Sequence, residues 1–164
     1  MKIYFSHGKE SGPWGTKIKR LATLAEKHGY QVESIDYRES LNPDVRAQRL
    51  IDKVKADEAD ILLVGSSMGG YVSLVASEVK NVKGLFLLAP ALFIEGYAVQ
   101  KYPFPKNLEI VHGWSDEVVP VENSISYAKM ADCTLHIISG DHRLNSSMQE
   151  VEILFDQFLK GHKE

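Results

Sequence analysis

Six short runs rich in apolar, β-branched or aromatic residues alternate with longer amphipathic segments along this chain. That alternation points to a parallel sheet whose strands are joined by crossover helices. The runs are Ile3 to Ser6, Gln31 to Asp36, Ile61 to Ser66, Gly84 to Ala89, Glu109 to His112 and Thr134 to Ser139. Four of them read as nearly continuous hydrophobic stretches, as strands covered on both faces do. Between them, Thr16 to Lys27 puts Ile18, Leu21, Ala22, Leu24 and Ala25 on one helical face, and Asp44 to Lys55 does so with Val45, Leu50, Ile51 and Val54. Asn42-Pro43-Asp44 supplies a capping side chain and a first-turn proline for the second helix, and His28-Gly29 ends the first. Further helices are expected over Met68 to Val79, Val121 to Met130 and Ser147 to Leu159, the last with Val151, Leu154, Phe155, Phe158 and Leu159 as its docking stripe. The expected fold is α/β, a single three-layer domain over residues 1–164 with about six mostly parallel strands and helices on both faces. The one long irregular stretch, Pro90 to Asn107, contains Phe93, Tyr97, Tyr102 and Phe104 and is expected to form a small cap or loop over a pocket.

The segment between the third run and its following helix reads Gly65-Ser66-Ser67-Met68-Gly69, a G-x-S-x-G pattern. A strand-to-helix turn this tight needs small residues beside the serine, and its strain lifts the hydroxyl clear of the sheet, which makes Ser67 a candidate nucleophile. A serine hydroxyl is a weak nucleophile at neutral pH and needs a positioned base, which in turn needs an acid to hold its tautomer. Two later segments supply those types in order: Asp116 in Gly113-Trp114-Ser115-Asp116-Glu117-Val118-Val119-Pro120, after the fifth run, and His142 in Gly140-Asp141-His142-Arg143-Leu144, after the sixth. A parallel sheet delivers all three loops to its carboxyl edge. Ser66 is the neighbouring alternative to Ser67, and Asp141 competes with Asp116 as the residue that orients His142. The oxyanion formed on attack would take the N–H of Met68, at a helix start, as its first donor. The second is placed on the loop after the first strand, Ser6-His7-Gly8-Lys9, with Lys9 N–H as the choice.

With these motifs in place the chain resembles a compact α/β-hydrolase, similar to the small bacterial serine esterases with a minimal cap. The resemblance rests on Ser6-His7-Gly8, Gly65-Ser66-Ser67-Met68-Gly69-Gly70, Asp116 within His112 to Pro120, and His142 within Gly140-Asp141-His142, and it spans nearly the whole chain. It implies a triad of Ser67, His142 and Asp116, an oxyanion hole from Met68 and Lys9, and small carboxylic esters or thioesters as substrates. The chain departs from larger members in lacking their two leading strands and a long lid. A rival from another class is a binding or scaffold protein that keeps the fold with little catalysis.

Composition narrows the partners. Lys and Arg number 19 against 22 Asp and Glu, a formal charge of −3, so no basic field is present to hold a nucleic acid or an anionic membrane. No run approaches the roughly 18 apolar residues of a membrane span, and the apolar stretch before Gly8 is too short for a signal peptide. One cysteine, Cys133, gives no internal disulfide and is read as a packing residue. A cytoplasmic protein acting on a small molecule is expected, with monomer and homodimer equally compatible. Neither H-E-x-x-H nor C-x-x-C occurs, nor a phosphate-binding loop, so neither metal nor cofactor is expected. His7 and His112 each precede a glycine at a strand end and are assigned to loop hydrogen bonds. Trp14, Phe93, Tyr97, Trp114 and Leu144 are assigned to a substrate pocket, with core packing as the competing reading of the aromatics.

Overall fold

The computed structural model describes residues 1–163. Six strands, β1 (Lys2–Ser6), β2 (Gln31–Ile35), β3 (Ile61–Ser66), β4 (Val82–Leu88), β5 (Leu108–Gly113) and β6 (Thr134–Ile138), form one sheet in the order β2-β1-β3-β4-β5-β6. Every neighbouring pair is parallel. Five α-helices cover it: α1 (Thr16–Lys27), α2 (Pro43–Ala56), α3 (Met68–Val75), α4 (Val121–Ala131) and α5 (Met148–Lys160).

Alternation along the strands separates two cores. Ile3, Phe5, Leu62, Val64, Phe86, Leu88 and Val111 face α1 and α5, where the Phe86 ring lies 5.0 Å from Phe155 and 5.3 Å from Phe158. Tyr4, Leu63, Leu85, Leu87 and Ile110 face the other way, toward α2, α3 and α4. Each such fully buried side chain contributes roughly 1.5–3 kcal/mol of hydrophobic free energy. The central strands β3 and β4 are buried almost throughout, whereas the edges β2 and β6 are largely half-buried, as their mixed sequences Gln31–Ile35 and Thr134–Ile138 require.

Three helices differ from the sequence expectation. The helix after the elbow ends at Val75 and tightens into a 3-10 turn over Ala76–Glu78, and α5 begins at Met148 after a 3-10 turn at Asn145–Ser147. More consequential is the face that α2 buries: Arg46, Ala47, Leu50 and Val54 point inward, Ile51 is half-buried, and Val45 is 52% exposed. Its start is as expected, the Asn42 side chain accepting from the N–H groups of Asp44 (2.8 Å) and Val45 (3.2 Å).

The stretch over residues 90–107 is a strap pinned along α2, α3 and α4. Tyr71 on α3 donates to Asp44 at 2.6 Å and accepts from the Val99 N–H at 3.0 Å, while Asp44 also takes the Ala98 N–H at 3.1 Å. Tyr127 on α4 donates to the Pro103 carbonyl, and Asn123 to that of Leu92. No helix among the described residues is long and apolar enough to cross a membrane.

Candidate active site

The site sits where the chain changes direction in the sheet. β1 leads left to β2, and β3 returns to the other side of β1, with Ser6 paired to Gly65 in register. The loop after β1 therefore lies against the turn after β3, as a crevice at the carboxyl ends of the strands. A Cβ on Gly69 would overlap the Ser6 carbonyl, and one on Gly65 the Gly69 carbonyl, so this approach of helix to strand needs both glycines. Ser67 takes φ 55° and ψ −118°, a conformation that side-chain-bearing residues rarely adopt. Its backbone is held there by bonds to the Leu88 carbonyl (3.0 Å) and from the Ala91 N–H (2.9 Å).

At the other side, the loops after β5 and β6 are joined by Trp114 N–H to Ile138 carbonyl and Ser115 N–H to Gly140 carbonyl, both 2.9 Å. This brings Asp116 and His142 together. His142 Nδ1 lies 2.7 Å from Asp116 Oδ2, and its Nε2 lies 3.0 Å from Ser67 Oγ. Nδ1–H donating to the carboxylate leaves Nε2 to accept from the serine hydroxyl. The Asp116 side chain is fully buried. Its other oxygen accepts the N–H groups of Val118 and Val119, both at 2.8 Å. Burial alone would raise its pKa, but the bonds from His142, Val119 and Val118 outweigh that and hold it below the ordinary carboxylate value.

Geometry also decides between the alternatives left by the sequence. Asp141 Oδ1 accepts from Arg143 and Leu144 N–H at 3.1 Å, a local turn, and the ring of His142 is bonded to Asp116 instead. His142 reaches Ser67, the residue at the strained position, and its Nε2 bond is to that hydroxyl. His112 is fully buried below them, its Nε2 donating to the Val119 carbonyl (2.9 Å) and lying 3.0 Å from Asp116 Oδ2, its Nδ1 on Ser124 Oγ (2.7 Å). His7 Nδ1 donates to the Gly8 carbonyl (2.7 Å) while Nε2 accepts the Tyr37 N–H (2.9 Å). Burial pulls its pKa down, consistent with a neutral ring. Both therefore serve loop hydrogen bonds.

Arg46 is the residue that sequence reasoning missed. It is 1% exposed and is the largest fully buried side chain of the chain, with no ion pair among the described residues. Its donors go to carbonyls: Nε to Ser40 (2.6 Å), Nη1 to Gly8 (3.1 Å) and Nη2 to Lys9 (3.1 Å). Gly8 and Ser67 are neighbours, a Cβ on the glycine falling 3.7 Å from Ser67 Cβ. The Gly8–Lys9 peptide is trans, so its N–H is directed opposite to the carbonyl that Arg46 and His7 hold. Met68 opens α3, where first-turn N–H groups have no helical partner.

A cleft of about 720 Å³ opens over Ser67 and His142. Ile18, Ala91, Ile94, Val118 and Val119 supply its apolar wall, with Lys9, Glu10, Lys17 and Arg143 as its charged side chains. Of the five residues assigned to a pocket, Tyr97 lines it and the other four do not. Trp14 and Trp114 stand on loop tips, 46% and 63% exposed. Phe93 turns onto Tyr102, edge to face at 5.3 Å, and Leu144 is fully buried against α5. The strap reaches the cleft only through Ala91, Ile94 and Tyr97, so it forms one wall and not a cover. Among the described residues no group of three or more His, Cys, Asp and Glu is placed to hold a metal ion.

The family model for UPF0227, an uncharacterised protein family, matches residues 1–100. Among solved structures, a protein from Xanthomonas campestris pv. campestris described as a candidate hydrolase of the alpha/beta superfamily is 28% identical. The match covers 98% of each chain with a TM-score of 0.89. Est1E from Butyrivibrio proteoclasticus is 20% identical over 97% of this chain and 86% of its own, with a TM-score of 0.80. Alpha/beta hydrolase domain-containing protein 10 from mouse is 18% identical over 99% and 90%, with a TM-score of 0.76. No curated protein matches. The sheet order, the helices on both faces and these likenesses make the fold that of the α/β-hydrolase superfamily.

Proposed function

The chain belongs to the UPF0227 family, and we propose that it is a serine hydrolase cleaving small carboxylic ester or thioester bonds through an acyl-enzyme. The observation that carries this reading is the unbroken chain of contacts Asp116–His142–Ser67, 2.7 and 3.0 Å, ending on a serine in a strained turn at the floor of a cleft. Ser67 Oγ attacks the acyl carbonyl as its proton passes to His142 Nε2, and the imidazolium is stabilised by Asp116. His142 then gives that proton to the departing alcohol or thiol, and a water repeats the cycle to release the acid. Met68 and Lys9 N–H groups are the proposed donors to the oxyanion, each aimed by structure outside the reacting atoms: the start of α3 for one, Arg46 for the other. Esters and thioesters fit best because their leaving groups need little help and the cleft is open to solvent on a side the strap leaves uncovered. In this reading one domain works on a small molecule without a cofactor.

The test is labelling with a fluorophosphonate probe followed by mass spectrometry of the modified peptide. Label on Ser67 that is lost in His142→Ala is expected, with Ser67→Ala and His142→Ala each lowering ester turnover by roughly four to six orders of magnitude, because the triad acts as a unit. A folded sample that takes no label and turns over no ester would end the proposal.

A further inference from the structure

The cleft over Ser67 holds an excess of positive charge that the hydrolytic chemistry does not use. Lys9, Lys17 and Arg143 stand in its lining with one carboxylate, Glu10, in a chain whose formal charge is −3, while Asp116 and Asp141 act on Lys17 from outside the lining. Beneath it lies the buried Arg46, whose charge is met by three carbonyls and by the Tyr37 ring, 5.6 Å away, and by no carboxylate. Asp116, a buried anion of the same site, is already occupied by His142 and two backbone amides, with His112 Nε2 3.0 Å away.

Lys17 is the telling member. It is half-buried in the cleft wall, and its Nζ makes one hydrogen bond, to the Arg143 carbonyl at 3.1 Å, and no ion pair among the described residues. An ammonium carries three donors, so two remain for a ligand. It also stands in the first turn of α1, at the positive end of the helix dipole, and that turn contains no acidic residue to offset it. A cation at this position is unfavourable for the helix, and a local rule broken beside a reactive group is the pattern of a functional residue. The charges around it are Asp141 and Asp116, which favour the ammonium, and Arg143, which opposes it; burial dominates and pulls its pKa down to about 8, leaving it protonated in neutral solution.

Resting on the hydrolase reading, we propose that the substrate carries an anionic group, a carboxylate or phosphate on its acyl or leaving part, bound by the ammonium of Lys17 with Lys9 and Arg143 around it. Such a group replaces water on a partly desolvated cation, gaining a charge-assisted hydrogen bond that a neutral ester cannot make. Selectivity between otherwise equal esters would then lie in this contact and not in the apolar wall.

The test compares matched pairs of esters. One pair is para-nitrophenyl hydrogen glutarate and its methyl-capped neutral counterpart, which places the anion on the acyl side. The other is the acetyl ester of para-hydroxybenzoate and that of its methyl ester, which places it on the leaving group. In Lys17→Met the ratio of kcat/KM for the anionic over the neutral member should fall about tenfold in at least one pair, the size of one partly exposed charge-assisted hydrogen bond, and Lys17→Arg should keep most of it. The pair that responds identifies the side. A ratio unchanged in both pairs would overturn the proposal, as would equal losses on both members, which would make Lys17 a tether for the His142 loop. Fluorophosphonate labelling of Ser67, run on the same samples, separates this failure from failure of the hydrolase reading. Should labelling and turnover both be missing, calorimetric titration with glutarate decides: Lys17-dependent binding supports the anion site, and its absence removes it.

Discussion

Two buried charges flank Ser67, and they are neutralised in opposite ways. Asp116, on the loop after β5, is an anion that gives one oxygen to an imidazole and the other to two amides. Arg46, on α2, is a cation that gives its donors to three backbone carbonyls and pairs with no carboxylate. In the proposed reaction the first orients a side chain that must change its charge. The second fixes a loop that must stay still. A buried charge held by carbonyls and an aromatic face imposes geometry without adding a carboxylate beside Ser67, which suits the proposed task of aiming a peptide N–H.

The largest effect should come from the anion. Asp116→Asn keeps an oxygen for the Val118 and Val119 amides, so the loop retains its shape. It places an amide opposite His142 Nδ1, or turns the ring to the tautomer whose Nε2–H faces Ser67. In either state the base is lost, and kcat should fall by about three to four orders of magnitude with the thermal midpoint little changed. Activity within tenfold of the parent would show that Asp116 is only a turn residue and would dissolve the contrast with Arg46.

Arg46→Met should give a smaller kinetic effect and a larger structural one. The Ser40 and Lys9 carbonyls lose their Arg46 donor and that of Gly8 keeps His7, a destabilisation of about 3 kcal/mol by denaturant unfolding. The Gly8–Lys9 peptide would lose the Arg46 half of its clamp and keep His7, and kcat should drop roughly tenfold to a hundredfold with KM nearly constant, as expected of an oxyanion donor that is misaimed and not deleted. Arg46→Lys supplies charge but not the planar fork that meets three carbonyls, so it should recover part of the stability and little of the rate. A loss of stability with kcat intact would make Arg46 a packing residue only.

The same pair explains what could be read from the sequence. The elbow, the acid loop and the histidine loop announce themselves because each combines a glycine, a reactive side chain and a preceding apolar run, and those local patterns follow from turn sterics. Sheet order then brings them together without further information. Arg46 is hidden from helical periodicity, which assigns charged residues to the solvent face and Val45 to the core, yet Val45 is exposed and Arg46 takes its place one position on. The carbonyls that make this burial possible come from loops 6 and 37 residues away in sequence, which no helical pattern encodes. Trp14 and Trp114 stand outside the cleft for a related reason. Proximity to the carboxyl edge places a loop, but the rotation of its tip decides whether an indole meets the cleft or water.

Acid provides the finest separation of the two charges. The Asp116 carboxyl is held below its ordinary value in the folded protein, so the unfolded chain binds its proton first as pH falls. Its contribution to stability is thus complete above the ordinary carboxylate range and is lost as pH drops through the lower, folded value. The guanidinium of Arg46 stays protonated in both states throughout. Stability curves for the parent, Asp116→Asn and Arg46→Met, measured by urea unfolding from neutral pH downward, should therefore diverge in form. The difference between parent and Asp116→Asn shifts in the acid range, moving against the parent, while that between parent and Arg46→Met stays level as long as two-state unfolding holds. The shift should be smaller than the effect of Arg46→Met at neutral pH, since it reads only the difference in proton affinity between the folded and unfolded carboxyl. A level difference for Asp116→Asn as well would mean that its bonds to His142 and the two amides are offset by burial, leaving the two sites alike in their response to acid.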